Sequence, residues 1–350
     1  MKNGPAVGRV RARVPYLIPF MMAVVRRADE VGLRILFPRA VRRRLNTLKK
    51  ALFRKPMRFT FPRASDDGDP IRLVVVGETF ADWIPALTTA DTWEGLPTVT
   101  EVVLLLQNVA IESFPAAVMQ GSRVIVLPLS EDAIISSTAS YGLYPDAKAV
   151  ETLRNKRRFA DYVALIGMAQ FCPADYVRPD EIRLPCIVKH SWEMRSARVL
   201  RTKKDVDVTL TDGAWNPEHY VVQEFISGQV EYTTHAIIRS GSVLWSYSLQ
   251  FEKDGDARIG VEFKTMKAFV PPPMLFEAVE RILRPMNYSG PCNIDYTIRE
   301  SGQIAVFEIN PRFGGSLFLA ENRPYLKEAL GRLLEAACAP PEAAPVRNPP

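Results

Sequence analysis

The stretch Cys292-Asn-Ile-Asp-Tyr-Thr-Ile-Arg-Glu-Ser-Gly-Gln-Ile-Ala-Val-Phe-Glu-Ile-Asn-Pro-Arg-Phe-Gly-Gly-Ser316 limits the folds open to this chain more than any other. Two apolar runs, 293–299 and 303–309, flank Ser301-Gly302, the pattern of a β-hairpin. Residues two apart on a strand point to one side, so Glu308 and Asn310 share a face. Asp295, on the preceding strand, can meet them across the ladder. The apolar flanks make it costly to bury these carboxylates without a partner. Two carboxylates and an amide oxygen form an oxygen-only donor set. Such a set suits Mg²⁺ or Mn²⁺, which favour carboxylates together with substrate phosphates. The same residues also fit a half-exposed hairpin whose acids face water.

The runs 71–76, 101–106 and 123–129 are continuous, apolar and rich in β-branched residues, as in buried parallel strands. Residues 111–119 read as a helix between two of them, so a small parallel sheet with helices on its faces is expected. No Gly-x-Gly-x-x-Gly follows the first run, and a dinucleotide site is not indicated. Residues 147–168 read as one long amphipathic helix with Val150, Leu153, Phe159, Tyr162, Val163, Leu165 and Ile166 on its apolar side. Short strands are expected over 185–189 and 220–225, and a hairpin over 231–239 and 242–251 around Ser240-Gly241. Helices follow at 274–283 and 324–337.

Further charged residues fall at suggestive points. Lys189 ends the strand 185–189, and Lys156 lies in Asn155-Lys-Arg-Arg-Phe159. A lysine at a strand end is well placed for a phosphate, although either one alone also fits a solvated charge. In Tyr220-Val-Val-Gln-Glu-Phe-Ile-Ser-Gly-Gln-Val-Glu-Tyr232 an extended segment can offer backbone N–H and C=O to an adenine edge. Glu231, beyond that segment, can accept hydrogen bonds from ribose hydroxyls. His235 falls on the same side of a regular strand as Glu231. It reads either as a substrate contact or as a hydrogen-bonded strand histidine.

The order Lys, Lys, Glu, Glu, Asp, Glu-x-Asn resembles that of the ATP-grasp superfamily. Within it the chain looks most like the ligases related to the large subunit of carbamoyl-phosphate synthase and to D-alanine–D-alanine ligase, over roughly residues 71–330. The resemblance implies an α/β and α+β chain with the ATP-grasp fold: a small parallel α/β domain, then two α+β subdomains that grip ATP, here behind a basic helical N-terminal extension. The expected divisions are 1–63, 71–146, 147–225, 226–337 and a disordered Pro/Ala-rich tail at 338–350. By resemblance, Lys156 and Lys189 contact ATP phosphates, and Gln223, Glu224, Phe225 and Ile226 form the adenine hinge, mostly through backbone. Glu231 holds the ribose, and Asp295, Glu308 and Asn310 bind Mg²⁺ (or Mn²⁺) with the β- and γ-phosphates. Arg312 and Lys189 are the catalytic candidates, and the Gly314-Gly315-Ser316 turn lies near the acyl phosphate or the substrate.

The implied activity is an ADP-forming ligase that joins a small carboxylate to an amine, or a related nucleophile, through an acyl phosphate. A noncatalytic nucleotide-binding module is the alternative. Relatives carry a Gly-rich loop after the strand lysine, whereas this chain reads His190-Ser-Trp-Glu-Met-Arg-Ser-Ala-Arg-Val199. Without glycine, backbone amides approach phosphate less freely, and Arg195 or Arg198 would substitute. Arg258, Lys264 and Lys267 are candidates to meet a substrate carboxylate.

Composition mainly excludes. With 350 residues, 47% hydrophobic and 24% charged, the chain is not disordered, collagen-like or a small disulfide scaffold. Cys172, Cys186, Cys292 and Cys338 are far apart, which argues against structural zinc and for reduced thiols in the cytoplasm. Only three histidines are present, and the implied chemistry needs no protein nucleophile. Residues 1–63 hold 17 basic residues and two acids, whereas the remainder holds 28 basic and 37 acidic. Within this arm the apolar run 15–25 is too short to span a bilayer. The arm reads as a basic helical extension on the body, as a membrane-surface segment at the inner membrane face, or as a site for nucleic acid or another acidic partner. A transit peptide also fits an Arg-rich, acid-poor start. The ligase resemblance itself calls for ATP and small substrates and no nucleic acid.

Overall fold

Three sheets organise the computed structural model, which describes residues 56–62, 69–78, 83–96, 98–106, 123–135, 142–192, 197–211, 216, 218–253, 255 and 263–339. The first has the strand order β1-β3-β2-β4, with β1 (Met57–Thr60), β2 (Ile71–Val76), β3 (Val99–Leu105) and β4 (Arg123–Pro128). β2, β3 and β4 are parallel, as their unbroken apolar runs predict. β1 is antiparallel to β3 and corrects the expected helical extension up to residue 63. Met57 and Phe59 point inward, and Arg58 and Thr60 outward, which is the alternation of an edge strand. Arg58 and Arg72 both pair with Glu101, at 2.7 and 2.5 Å. Four alternating residues inside an Arg-rich segment are a weak signal, and the local charge masks it. Residues 1–55, the expected helix at 111–119 and the tail after 339 lie outside the described residues; Cys338, assigned to the tail, still belongs to the last helix.

The expected helix over 147–168 is two helices, α3 (Ala147–Arg154) and α4 (Lys156–Leu165). They follow the short helices α1 (Ile84–Leu87) and α2 (Glu131–Ile135). Asn155 between them is extended (φ −98°, ψ 115°), and its side chain accepts a hydrogen bond from the Arg158 N–H at 2.9 Å. It is therefore an N-cap, satisfying a backbone donor that the new helix leaves open. The apolar spacing runs on across the break, so periodicity alone does not register it. The cap places Lys156 at the first position of α4.

The second sheet is antiparallel, with the order β6-β5-β7: β5 (Cys186–His190), β6 (Arg198–Leu200) and β7 (Tyr220–Glu224). Helix α5 (Lys203–Thr211) follows β6. The buried cluster of this sheet is small: Cys186, Val188, Leu200 and Val222.

The third sheet is antiparallel with the order β10-β9-β8-β11-β12. Its strands are β8 (Val230–Arg239), β9 (Ser242–Glu252), β10 (Thr265–Phe269), β11 (Gly290–Ile298) and β12 (Ile304–Asn310). Ser240 and Gly241 join β8 to β9 with φ of 48° and 80°, so both take the left-handed region that a two-residue hairpin turn requires. One face packs Ala236, Ile238, Cys292, Ile294, Tyr296, Ile304, Val306 and Ile309 on α3, α4 and α6 (Pro273–Leu283). On the other face Ile237 and Trp245 join a cluster with α7 (Arg323–Cys338) and the first sheet. Among the described residues no helix is long and apolar enough to cross a membrane, and all four cysteines are free thiols.

The register of β12 is decisive. Asp295 pairs with Glu308 but Tyr296 pairs with Val306, so Phe307 is an extra residue, a β-bulge. With strict alternation Glu308 would follow Ile304 and Val306 into the apolar core. The bulge turns Glu308 and Asn310 onto the opposite face and returns Ile309 to the core.

Candidate functional site

On that opposite face Thr233, Asp295 and Glu308 stand opposite one another on β8, β11 and β12, and His235, Asn293 and Asn310 form the adjacent row. The Asn310 amide donates from Nδ2 to Glu308 Oε1 at 3.2 Å and to Asp295 Oδ2 at 3.4 Å. The other Asp295 oxygen accepts from the Thr233 hydroxyl and from Asn293 Nδ2 at 3.1 Å. One carboxylate oxygen is thus fixed by its own sheet while the second converges with Glu308.

Two lysines approach from the other side of the gap. Lys156 Nζ lies 3.7 Å from Glu308 Oε2. Lys189, on β5, donates to Gln223 Oε1 at 3.4 Å and stands 5.3 Å from the centre of the Phe307 ring, so the bulged residue also borders the site. Burial would push the Glu308 carboxyl up, but Lys156, Lys189 and the hydrogen bond from Asn310 outweigh it and hold it below the usual range. Its side chain keeps 34% exposure, so water screens part of this attraction. Burial, with a smaller push from Lys156, holds the Lys189 ammonium below its ordinary value, and Glu308 opposes that shift.

The structure brings Lys156, Lys189, Gln223, Asp295, Glu308 and Asn310 together, with Glu231 near enough for its charge to act on Lys189, and places the other candidates differently. Glu224 alternates with Gln223 on β7 and points to the other face. There it takes both Nη groups of Arg299, at 2.5 and 2.9 Å, and accepts from the Ala174 N–H at 3.1 Å. The Arg299 hydrogen bonds hold it below the usual carboxylate range. Its own N–H donates to Ala174 O. Phe225 and Ile226 continue the segment between β7 and β8, with the Arg201 guanidinium 5.4 Å from the Phe225 ring centre. Glu231 is paired at 2.6 Å with Lys253, whose side chain is only 4% exposed. Lys253 stands outside every motif in the sequence; the available signal was a lysine directly after β9, beside the Glu231 end of β8.

Arg312 reaches the loops of the first sheet. Its Nε lies 3.2 Å from Glu131 Oε1, its guanidinium 5.9 Å from the centre of the Trp83 ring, and its Nη1 donates to Phe313 O at 3.0 Å. The turn that follows is tightly packed. A Cβ on Gly314 would stand 2.3 Å from Asn293 Oδ1, and one on Gly315 would stand 2.8 Å from Trp83 Nε1. Ser316 Oγ lies 2.9 Å from His235 Nε2. His235 is fully buried, and burial together with the charge of Arg312 pushes it down to about 3, so its imidazole is neutral. This is the hydrogen-bonded strand histidine of the two readings. Arg198 donates to Thr209 at 2.5 Å and is committed to α5, while Arg195 and Arg258 lie outside the described residues. Lys264 and Lys267 are exposed at the edge strand β10.

The donor set fits a hard divalent cation. Asp295 and Glu308 present oxygens to one point now held by the Asn310 NH₂ group, and rotating that amide by half a turn would present its oxygen instead. Two carboxylates are also the number such an ion takes when phosphate oxygens complete its shell.

No family model matches the chain, and no curated protein matches it. Solved structures do. An L-amino acid ligase from Bacillus licheniformis aligns over 77% of this chain and 74% of its own, with 14% identity and a TM-score of 0.51. The VanG D-Ala:D-Ser ligase from Enterococcus faecalis aligns over 77% of this chain and 98% of its own, with 13% identity and a TM-score of 0.50. Identity at that level reports the course of the backbone and leaves the chemistry open. The chain has the fold of these two ligases, the ATP-grasp fold that the order of its motifs implies.

Proposed function

We propose that this protein is an ATP- and Mg²⁺-dependent, ADP-forming ligase that joins a carboxylate to an amine, or a related nucleophile, through an acyl phosphate. The supporting observation is the meeting of Lys156 and Lys189 with Asp295, Glu308 and Asn310 across a gap between two sheets. In this reading, residues 147–225 supply the cations and 226–337 the metal donors, with the triphosphate between them. Lys156 and Lys189 exchange Glu308 for phosphate oxygens. Gln223 stays beside Lys189, and the backbone from Glu224 to Ile226 meets the adenine. Glu231 reaches the ribose from its pair with Lys253.

A substrate carboxylate oxygen attacks the γ-phosphorus and ADP leaves. The amine then attacks the acyl carbon, phosphate leaves, and the nitrogen loses a proton. Charge spreads over the moving phosphoryl oxygens, so placing cations there is the main catalytic act open to the chain. Arg312 adds a guanidinium fork to that end of the site. The bound divalent ion would neutralise the β- and γ-phosphate charge.

The test is ADP release from MgATP over crossed panels of acids and amines, beginning with amino acids because both similar structures are named for amino-acid ligases. Release that needs both partners is expected, and Glu308→Gln should lower it by roughly 100-fold or more. Release of AMP would reject the reaction. Tight MgATP binding without turnover on any pair would instead favour a nucleotide-binding module.

A further inference from the structure

We infer that Glu131 is a positioning residue that holds Arg312 in place, so that the first sheet sets the geometry of one end of the site. The inference rests on the reading above, in which Arg312 meets the phosphoryl group.

The order of the first sheet carries the first half of the argument. The chain goes from the central β2 to β3 on one side and then crosses to β4 on the other. In an open α/β sheet, a ligand crevice forms at the carboxyl ends of the strands where the order reverses, here between β2 and β4. Gly77 follows β2, and Ser130 and Glu131 follow β4. These two loops touch: a Cβ on Gly77 would stand 2.7 Å from Ser130 Oγ.

The turn after β12 supplies the second half. Arg312 Nε meets Glu131 Oε1 at 3.2 Å, with side-chain exposures of only 13% and 23%. The guanidinium stands over Trp83, Trp83 stacks on Phe318 with ring centres 4.5 Å apart, and Gly315 packs on the Trp83 indole. Of the five guanidinium N–H groups, Phe313 O takes one on Nη1, and Glu131 Oε1 stands within ion-pair distance of Nε. Both Nη2 N–H groups and the second on Nη1 are left to face an anion. A flexible arginine stem held by the Glu131 charge beside Nε and by the Nη1 hydrogen bond to Phe313 O is ordered before the ligand arrives, which removes an ordering cost from the transfer step. The contact differs from a second ion pair between the same regions, Arg323–Asp91, which is longer at 3.6 Å and leaves Asp91 60% exposed.

Calorimetry on the full chain with MgADP, alone and with fluoroaluminate as a stand-in for the phosphoryl group in transit, tests this. The wild type should bind MgADP and tighten at least tenfold with fluoroaluminate. Glu131→Gln should leave the MgADP affinity within twofold and lose most of the tightening. Arg312→Ala should lose as much, and the double variant no more than either. Glu131→Asp, which keeps the charge, should recover part of it, a result that a merely structural loss would not give. Asp91→Asn should retain it in full. Tightening kept by Glu131→Gln but lost by Arg312→Ala would overturn the role of Glu131 and leave the ligase reading intact. Tightening kept by Arg312→Ala would overturn both residues' roles here. Failure of the wild type to bind MgADP would remove the ligase reading and this inference with it.

Discussion

The three-stranded and five-stranded sheets face each other across the candidate site and are built to different standards. In the larger one, β8, β9 and β11 run for 10, 11 and 9 residues, and both faces are packed. The smaller one has an apolar cluster of four buried side chains, with Val221 buried apart from it. Asp295, Glu308 and Asn310, the proposed metal donors, sit on the larger sheet, and Lys189 and Gln223 sit on the smaller. A cation shell demands fixed oxygen positions, so its donors belong on the stiffer support. A lysine reaches its anion through a flexible stem and tolerates a support that adjusts. Regions with few buried apolar contacts also open at lower cost. The Arg299–Glu224 pair is a tether between the end of β11 and the smaller sheet.

Four substitutions would break or sharpen this contrast. Ile294→Ala, at a fully packed position of β11, should cost about 3 kcal/mol in denaturant unfolding, while Val188→Ala in β5 should cost about 1 kcal/mol. Hydrogen exchange should rise only in the smaller sheet for the second variant. Equal global losses would refute the contrast. Lys189→Met comes next. Because the folded-state ammonium titrates below its ordinary value, the charged form opposes folding at neutral pH, and that cost fades as pH rises through the lowered value. The variant should therefore melt slightly higher without nucleotide at pH 7, yet bind MgATP roughly tenfold more weakly, about 1.4 kcal/mol. A lower melting temperature in the absence of nucleotide would contradict the sign.

The smallest effect is expected for Glu224→Gln, about 1 kcal/mol at pH 7, since both partners keep some exposure and water screens the pair. The folded carboxyl titrates below its unfolded value. Its contribution is thus full above the unfolded value and disappears as pH falls through the folded one. Wild type and variant should converge in acid, and a gap that persists there would mean that packing, not charge, explains the loss.

Where the signal was local, the residues could be read directly. Ile71–Val76 is the expected strand to the residue, because a continuous apolar β-branched run has few alternatives. Ser240-Gly241 joins the expected hairpin because both residues accept the left-handed conformation. Glu308 and Asn310 share a face, as their spacing of two suggested, and Asn310 bonds to Asp295 across the ladder. Other features gave no such local signal. Asn155 looks like any polar residue in an amphipathic helix until its side chain is seen to cap α4. Lys253 and Glu131 became visible only through their partners, Glu231 and Arg312.

The sequence by itself determined which residues were available to the site, in what order, and on which kinds of element, since hydrophobic period, turn chemistry and charge act between near neighbours. The tertiary structure alone decided their directions. Alternation counted from Ile304 points Glu308 into the core, and only the pairing of β12 with β11, with Phe307 bulged out, turns it toward the lysines. A strand's register depends on the partner it finds, and that partner lies beyond the reach of any local pattern.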